Sequence, residues 1–320
     1  MVKNVLEKFY EWGLLLDKKC TNATRLPAFV VSVGNLSVGG RAKTPLVIDL
    51  VRFFQERGFE PVVLTRGYGR KTSRPVEIEP TTKVEEAGDE PFEIYLRTRA
   101  KVLVGARRAA NAFAYCQRTV DSQKGFTKMI FILDDGFQHW ALARDLDIVL
   151  INEKDLIDRM LPVGRLRESP ESLNRADLVL NLDKDCQKKT YLEPNPKLLS
   201  KDQVMALTAR AGDQSKYFEE ISQFLSFSVQ RKELQDHLST ELFQKELLKL
   251  PAKIDTLILG MKEAVKLFPM KELLEKKEFL NLEISARTFK VYLSTLELKW
   301  DLLSFQKMFE EKFQGLEARR

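Results

Sequence analysis

Histidine is nearly missing from this chain: 320 residues hold only His139 and His237. Cysteine is almost as scarce, with Cys20, Cys116 and Cys186 far apart and no C-x-x-C pair. That excludes a disulfide framework and a zinc site built on cysteines, and it fits a reducing compartment. No apolar run reaches about 18 residues and no signal peptide is visible, so no segment is expected to span a bilayer. Strong charge of one sign is also lacking. A net charge of +6, widely spread, does not demand nucleic acid, although its sign suits anionic substrates or an anionic membrane face. With 44% hydrophobic and 31% charged residues, the composition is that of a folded chain with room for one large α/β domain and a smaller one.

What is present is organised around residues 29–54. Phe29 to Val33 is an apolar, β-branched run and reads as a buried strand. A glycine-bearing turn follows, then Lys43-Thr44, then Leu46, Val47, Ile48, Leu50, Val51, Phe53 and Phe54 at helical spacing. Strand, glycine turn, Lys-Thr and helix have the layout of a phosphate-binding loop. Backbone N–H groups of Ser37, Val38, Gly39, Gly40, Arg41 and Ala42 would hold phosphate oxygens. Lys43 would reach the β- and γ-phosphates, and Thr44 would offer its hydroxyl to Mg²⁺. The spacing also admits a plainer reading, a glycine turn that ends in a helix-starting Lys-Thr.

Further strands are expected at Pro61–Thr65, Lys101–Val104, Lys128–Leu133, Asp147–Ile151 and Asp177–Leu180, alternating with helices at Phe92–Thr98 and Ala106–Tyr115. Val76 to Ile78 reads as a hairpin-like stretch. This alternation predicts a P-loop-like parallel sheet covered by helices, with ligands at the carboxyl ends of the strands. Residues 183–203 are rich in lysine and proline and read as a linker. Val204–Ala209, Thr256–Leu259 and Phe289–Leu298 predict strands of a smaller second α/β domain, with a helix at Tyr217–Phe224 and a closing helix at Leu302–Phe313. At the other end, Val5, Leu6, Phe9, Trp12, Leu15 and Leu16 share one face of an N-terminal helix that also carries lysines. Such a helix either lies in a membrane interface or packs on its own domain. The expected division is therefore 1–26, an amphipathic helix; 27–182, a nucleotide-binding domain; 183–203, a hinge; 204–300, the smaller domain; and 301–320, the closing helix.

Asp134-Asp135 directly follows a buried strand. One carboxylate can hold Mg²⁺ or its waters while the other orients a proton or a lysine. Alone, the pair would read as a turn cap; with a Lys-Thr loop upstream, the metal reading is the stronger. Gly88-Asp89-Glu90-Pro91 is a second acidic turn at a helix start, and by itself it reads as a cap.

These residues together resemble the tetraacyldisaccharide 4′-kinase family. The similar stretches are Val33 to Gly40 with Lys43-Thr44-Pro45, Arg66-Gly67-Tyr68-Gly69, Gly88 to Pro91, and Asp134-Asp135-Gly136-Phe137-Gln138-His139. Arg144-Asp145-Leu146, Leu161-Pro162, Gly164, Leu166-Arg167-Glu168 and Arg175-Ala176-Asp177 continue the match in family order. It thins beyond residue 181 and returns at Asp236-His237 and Lys262 to Lys266. The resemblance implies ATP as phosphoryl donor, Mg²⁺, and a membrane-borne acylated glucosamine disaccharide as acceptor at its 4′-hydroxyl. It also implies a peripheral place at the cytoplasmic face of the inner membrane, with the lipid bound between two hinged domains. Asp89, supported by His237, would take the hydroxyl proton, and Lys43 would face the transferring phosphoryl. Thr44, Glu90 and Asp135 would surround the metal with Asp134 beside them, and Arg167 and Arg66 would contact phosphate.

The chain departs from that pattern in four places. Arg41-Ala42 replaces Thr-Gly in the loop, Val163 and Arg165 alter the Pro-Ala-Gly-Pro stretch, Glu263 replaces aspartate, and the stretch before Val204 looks short. Two alternatives therefore stand beside the lipid kinase: a P-loop transferase acting on another sugar-lipid, and a degenerate homologue that binds lipid or nucleotide with weak or no turnover.

Overall fold

The computed structural model describes residues 2–39, 42–120, 126, 128–193, 199–208, 215–235, 238–275 and 278–317. Two sheets organise it. The first contains β1 (Phe29–Asn35), β2 (Glu60–Thr65), β3 (Val76–Glu77), β4 (Lys101–Val104), β5 (Met129–Asp134), β6 (Leu146–Ile151) and β7 (Leu178–Asn181). Their order is β3-β4-β2-β5-β1-β6-β7, parallel throughout except for the short edge strand β3. The second contains β8 (Gln187–Glu193), β9 (Val204–Thr208), β10 (Gln230–Glu233), β11 (Thr256–Gly260), β12 (Leu280–Ile284) and β13 (Arg287–Lys299), in the order β10-β9-β11-β13-β12. The helices are α1 (Val2–Cys20), α2 (Lys43–Glu56), α3 (Val84–Ala87), α4 (Asp89–Thr98), α5 (Arg108–Val120), α6 (Ser215–Leu225), α7 (Thr240–Leu248), α8 (Met261–Ala264), α9 (Met270–Leu274) and α10 (Leu302–Glu317).

The central strands β1, β5 and β6 are buried on both faces, which is why they read as continuous apolar runs. Alternate residues of β1 serve opposite layers. Phe29, Val31 and Val33 face α2, α4 and α10, while Val30 joins Val62, Leu64, Phe131, Leu133, Ala112 and Cys116 under α5. The closing helix belongs to the first of these layers. Phe305, Phe309 and Phe313, four apart and so on one helix face, meet Phe29, Phe53, Phe54 and Phe59 with ring centroids 5.0–5.7 Å apart in the closest pairs.

The stretch expected to be a bare linker is more structured than its composition suggests. Strand β8 lies inside it and pairs antiparallel with the second half of β13, from Leu293–Glu193 to Lys299–Gln187. Its sequence, QKKTYLE, carries too few apolar residues to be read as a strand. The ribbon reaches the first domain through Arg97, whose guanidinium donates to the Leu296 carbonyl at 3.0 Å.

Helix α1 packs on the body through one side only. Glu7, Tyr10 and Leu14 are half-buried; Glu7 pairs with Arg159, and the Lys18 ammonium lies 4.8 Å from the Trp140 ring centroid. The opposite side carries Val5, Phe9, Trp12 and Leu16 outward, with Phe9 66% and Trp12 61% exposed. The apolar stripe is therefore not the face that docks on the domain. No described helix is long and apolar enough to cross a membrane.

Candidate active site

The carboxyl ends of β1, β2 and β5 meet at one edge of the first sheet, where the strand order turns from β5 to β1 to β6. Asn35 closes β1. Its amide nitrogen donates to the Ser37 carbonyl at 2.6 Å and its amide oxygen accepts from Lys43 Nζ at 3.1 Å. The turn then runs beside residues 165–167: Val38 N–H donates to the Arg165 carbonyl and Arg167 N–H to the Leu36 carbonyl. This pairing carries Arg167 to the loop. Gly39 has φ 113, and Ala42 stands in the left-handed region at φ 55, ψ 26. Gly40 and Arg41 lie outside the described residues. Helix α2 starts at Lys43 without a side-chain cap, so its first backbone donors face the loop, as an anion site requires.

The aspartate pair closes β5 on the same edge. Asp135, at φ 51, receives Arg167 Nη1 on both oxygens at 2.8 and 2.9 Å, and Lys43 Nζ lies 3.2 Å from Oδ1. Burial would raise its pKa, but Lys43 and Arg167 outweigh it and hold the group at about 2. Asp134 goes the other way. Burial, then the neighbouring charges of Glu90 and Asp135, push it up to about 6, although Thr65 Oγ1 donates to Oδ2 at 2.8 Å. The two adjacent carboxylates thus separate into a firmly ionised one and a more basic one. Arg108, at the start of α5, fixes the turn behind them. Its guanidinium donates to the carbonyls of Asp134 and Asp135 at 2.9 Å and lies 3.1 Å from His139 Nδ1. Burial and the cations Arg108 and Arg144 hold His139 down at about 4, so the ring is neutral and Nδ1 accepts.

The second acidic turn sits across a pocket. A side chain at Gly88 would put its Cβ 2.8 Å from the Tyr68 carbonyl, at φ 93. Glycine here lets the Arg66-Gly67-Tyr68-Gly69 turn lie directly on the start of α4. Asp89 is buried and its Oδ1 accepts from the Glu90 N–H at 3.0 Å. From the second domain, Lys266 Nζ lies 3.4 Å and Lys262 Nζ 3.9 Å from Asp89 Oδ2, with Lys262 also 3.5 Å from Glu90. Tyr68, Lys71, Asp89, Ser239, Thr240 and Lys266 line the pocket, which therefore has walls from both domains. Asp236 and His237 lie outside the described residues; Leu238 and Ser239, next in the chain, border the same pocket.

Of the residues expected from sequence, Lys43, Asp134, Asp135 and Arg167 come together directly, and Glu90 stands near enough to Asp134 to raise its pKa. Thr44 is half-buried at the start of α2. Among the described residues no group of three His, Cys, Asp or Glu side chains converges as a metal cage. Hard oxygen donors around a phosphate loop suit Mg²⁺, which takes much of its shell from phosphate and water. Asn35, Thr65 and Arg108 had no expected role, and only their strand-end and helix-start positions could have marked them. Lys262 and Lys266 were recognisable as a lysine pair four apart just after a strand.

A family model described as LpxK, tetraacyldisaccharide-1-P 4′-kinase, matches residues 11–301. The chain belongs to this family. A tetraacyldisaccharide 4′-kinase of Shewanella frigidimarina is 34% identical over 268 residues, covering 79% of this chain and 77% of that protein. One from Aromatoleum aromaticum is 41% identical over 159 residues, 49% of this chain and 46% of its own. Among solved structures, LpxK from Aquifex aeolicus, described as in complex with ATP, shares the fold. The TM-score is 0.71 at 23% identity, covering 98% of this chain and 100% of that one. The shared fold is a largely parallel sheet covered by helices with a smaller α/β unit attached, as observed here.

Proposed function

We propose that this kinase transfers the γ-phosphoryl group of ATP to the 4′-hydroxyl of a tetraacylated glucosamine disaccharide 1-phosphate. The observation that carries the reading is the meeting of Lys43, Arg167 and Asp135 at the loop–helix junction, beside a two-domain pocket with Asp89 in its wall. Lys43 and the backbone donors at the start of α2 would hold the β- and γ-phosphates, with Arg167 beside them. Thr44, Glu90 and Asp135 would hold Mg²⁺, which neutralises phosphate charge when bound. Asp89 accepts the 4′-hydroxyl proton as the oxygen attacks phosphorus, and the bond to the ADP oxygen breaks with its electron pair. Phosphoryl transfer depends on such positioning and charge neutralisation more than on covalent chemistry.

The lipid acceptor also gives α1 a purpose. Its outward stripe of Val5, Phe9, Trp12 and Leu16 supports peripheral binding to an anionic membrane surface, at the face where the acceptor resides.

Transfer of labelled phosphate from ATP to the acylated disaccharide in detergent is the test. Lys43→Ala should slow turnover by about a hundredfold or more with little change in Tm. Near-normal turnover of that variant would overturn the phosphate-loop assignment. Equally slow transfer by the wild-type chain to every acceptor tried would favour the degenerate homologue.

A further inference from the structure

The lysine pair of the second domain has no part in the reading so far. Lys266 Nζ stands 3.4 Å from Asp89 Oδ2, and both side chains are nearly buried, 11% and 5% exposed. Lys262 stands behind it, 3.5 Å from Glu90 and 3.9 Å from Asp89. Their placement is not left to a mobile contact. Met261, Val265, Met270 and Leu273, on either side of the lysines, pack in the core of the first domain with Phe92 and Ile94 of α4. The short helices α8 and α9 are thus anchored on α4, the helix that begins with Asp89.

We propose that Lys266 is a positioning residue for phosphoryl transfer, holding Asp89 toward the incoming 4′-hydroxyl and then neutralising the phosphoryl group once Asp89 has taken the proton. This rests on Asp89 being the base. Before transfer, the Lys266 ammonium pairs with the Asp89 carboxylate at 3.4 Å and fixes its orientation. As the reaction proceeds, the hydroxyl proton moves to Asp89, the sugar oxygen bonds to phosphorus, and ADP leaves with the electron pair of the broken bond. Asp89 is then neutral and its pairing with Lys266 lapses. The Lys266 ammonium then faces a new anion, the phosphomonoester formed on the oxygen that Asp89 had held. One cation therefore serves two anions in sequence, and charge is balanced on both sides of the step. The nucleotide's own phosphates are held from the other domain by Lys43 and Arg167, so the two cation sets divide donor from acceptor.

The test uses the full chain with Mg-ATP and the acylated disaccharide. Lys266→Met should lower kcat about a hundredfold while leaving the Mg-ATP dissociation constant and Tm near wild type. It should also weaken inhibition by the 4′-phosphorylated product. Lys266→Arg should recover part of kcat, because it restores the charge, and it also serves if the methionine variant folds poorly. A kcat for Lys266→Met within threefold of wild type would overturn the proposal. So would parallel losses of Tm and ATP affinity that account for the drop, or failure of the arginine variant to recover any of it. Asp89→Asn measured alongside separates the two readings. If Asp89→Asn keeps turnover, the base assignment falls; if it loses turnover while Lys266→Met does not, only the role of Lys266 falls.

Discussion

Ala42→Gly probes the residue at which this chain departs from the glycine of its family's loop. Ala42 holds φ 55, ψ 26 immediately before α2. In that left-handed region an L-residue costs about 1–2 kcal/mol relative to its right-handed conformation, whereas glycine enters it freely. The substitution also adds about 0.4–1 kcal/mol of conformational entropy to the unfolded chain, which offsets part of the relief. The net gain should be about 0.5–1 kcal/mol, equivalent in a chain of this size to about 2 °C in Tm. Where the relieved loop also seats phosphate more easily, Mg-ATP binding tightens by up to about tenfold, the equivalent of 1.4 kcal/mol. Thermal unfolding with and without Mg-ATP, together with equilibrium titration, measures both quantities. A lower Tm for Ala42→Gly, or weaker ATP binding, would refute the idea that a strained alanine sits in the phosphate loop.

Asp49, on α2, is pushed up to about 6, first by burial and then against the pull of Arg52 and Arg97. Its ionised form is thus disfavoured in the fold: the penalty is absent below the ordinary carboxylate range, grows as pH rises to about 6 and is constant above. Asp49→Asn should therefore raise Tm at pH 8, by at most about 3 kcal/mol of stability, and lose that advantage near pH 4; a gain at low pH alone would contradict the sign. Phe9→Ser with Trp12→Ser should cut co-sedimentation with anionic vesicles about tenfold or more and leave Tm nearly unchanged, since both rings point outward. A large fall in Tm with unchanged vesicle binding would mean that the stripe packs on protein. Gly88→Ala should destabilise by about 1–3 kcal/mol and reduce kcat, because its Cβ would meet the Tyr68 carbonyl beside Asp89; wild-type Tm and kcat would exclude that contact.

The first sheet was legible in the sequence because its central strands are buried on both sides and therefore apolar throughout. Lys101–Val104 matched to the residue, and Phe29, Pro61, Lys128 and Asp147 each fell within a residue of the strand they announced. The start of α2 at Lys43-Thr44, after its glycine turn, was equally visible, whereas α4 begins at Asp89, three residues before the expected Phe92. The N-terminal helix could be read, but the direction of its apolar stripe could not, because periodicity groups residues on a face without saying what the face meets. The polar strands β8 and β10 escaped notice, as did β12, whose residues are alternately exposed. The partners of β8 and β10 lie far away in sequence, which local pattern does not record, whereas β12 pairs with the next strand, Ile284 opposite Arg287. The same holds at the site. Sequence named Lys43, Asp134 and Asp135 through turns at strand ends, where backbone geometry selects the residue types; Asp89, in a turn that by itself reads as a helix cap, was named only through the family resemblance. Tertiary packing alone brought Arg167 onto Asp135, Arg108 behind both aspartates and Lys266 onto Asp89, at separations of 32, 26 and 177 residues. Charges so distant meet because the strand ends, turns and helices that carry them are held by apolar faces buried in the interior, and no stretch of chain states which faces will share it.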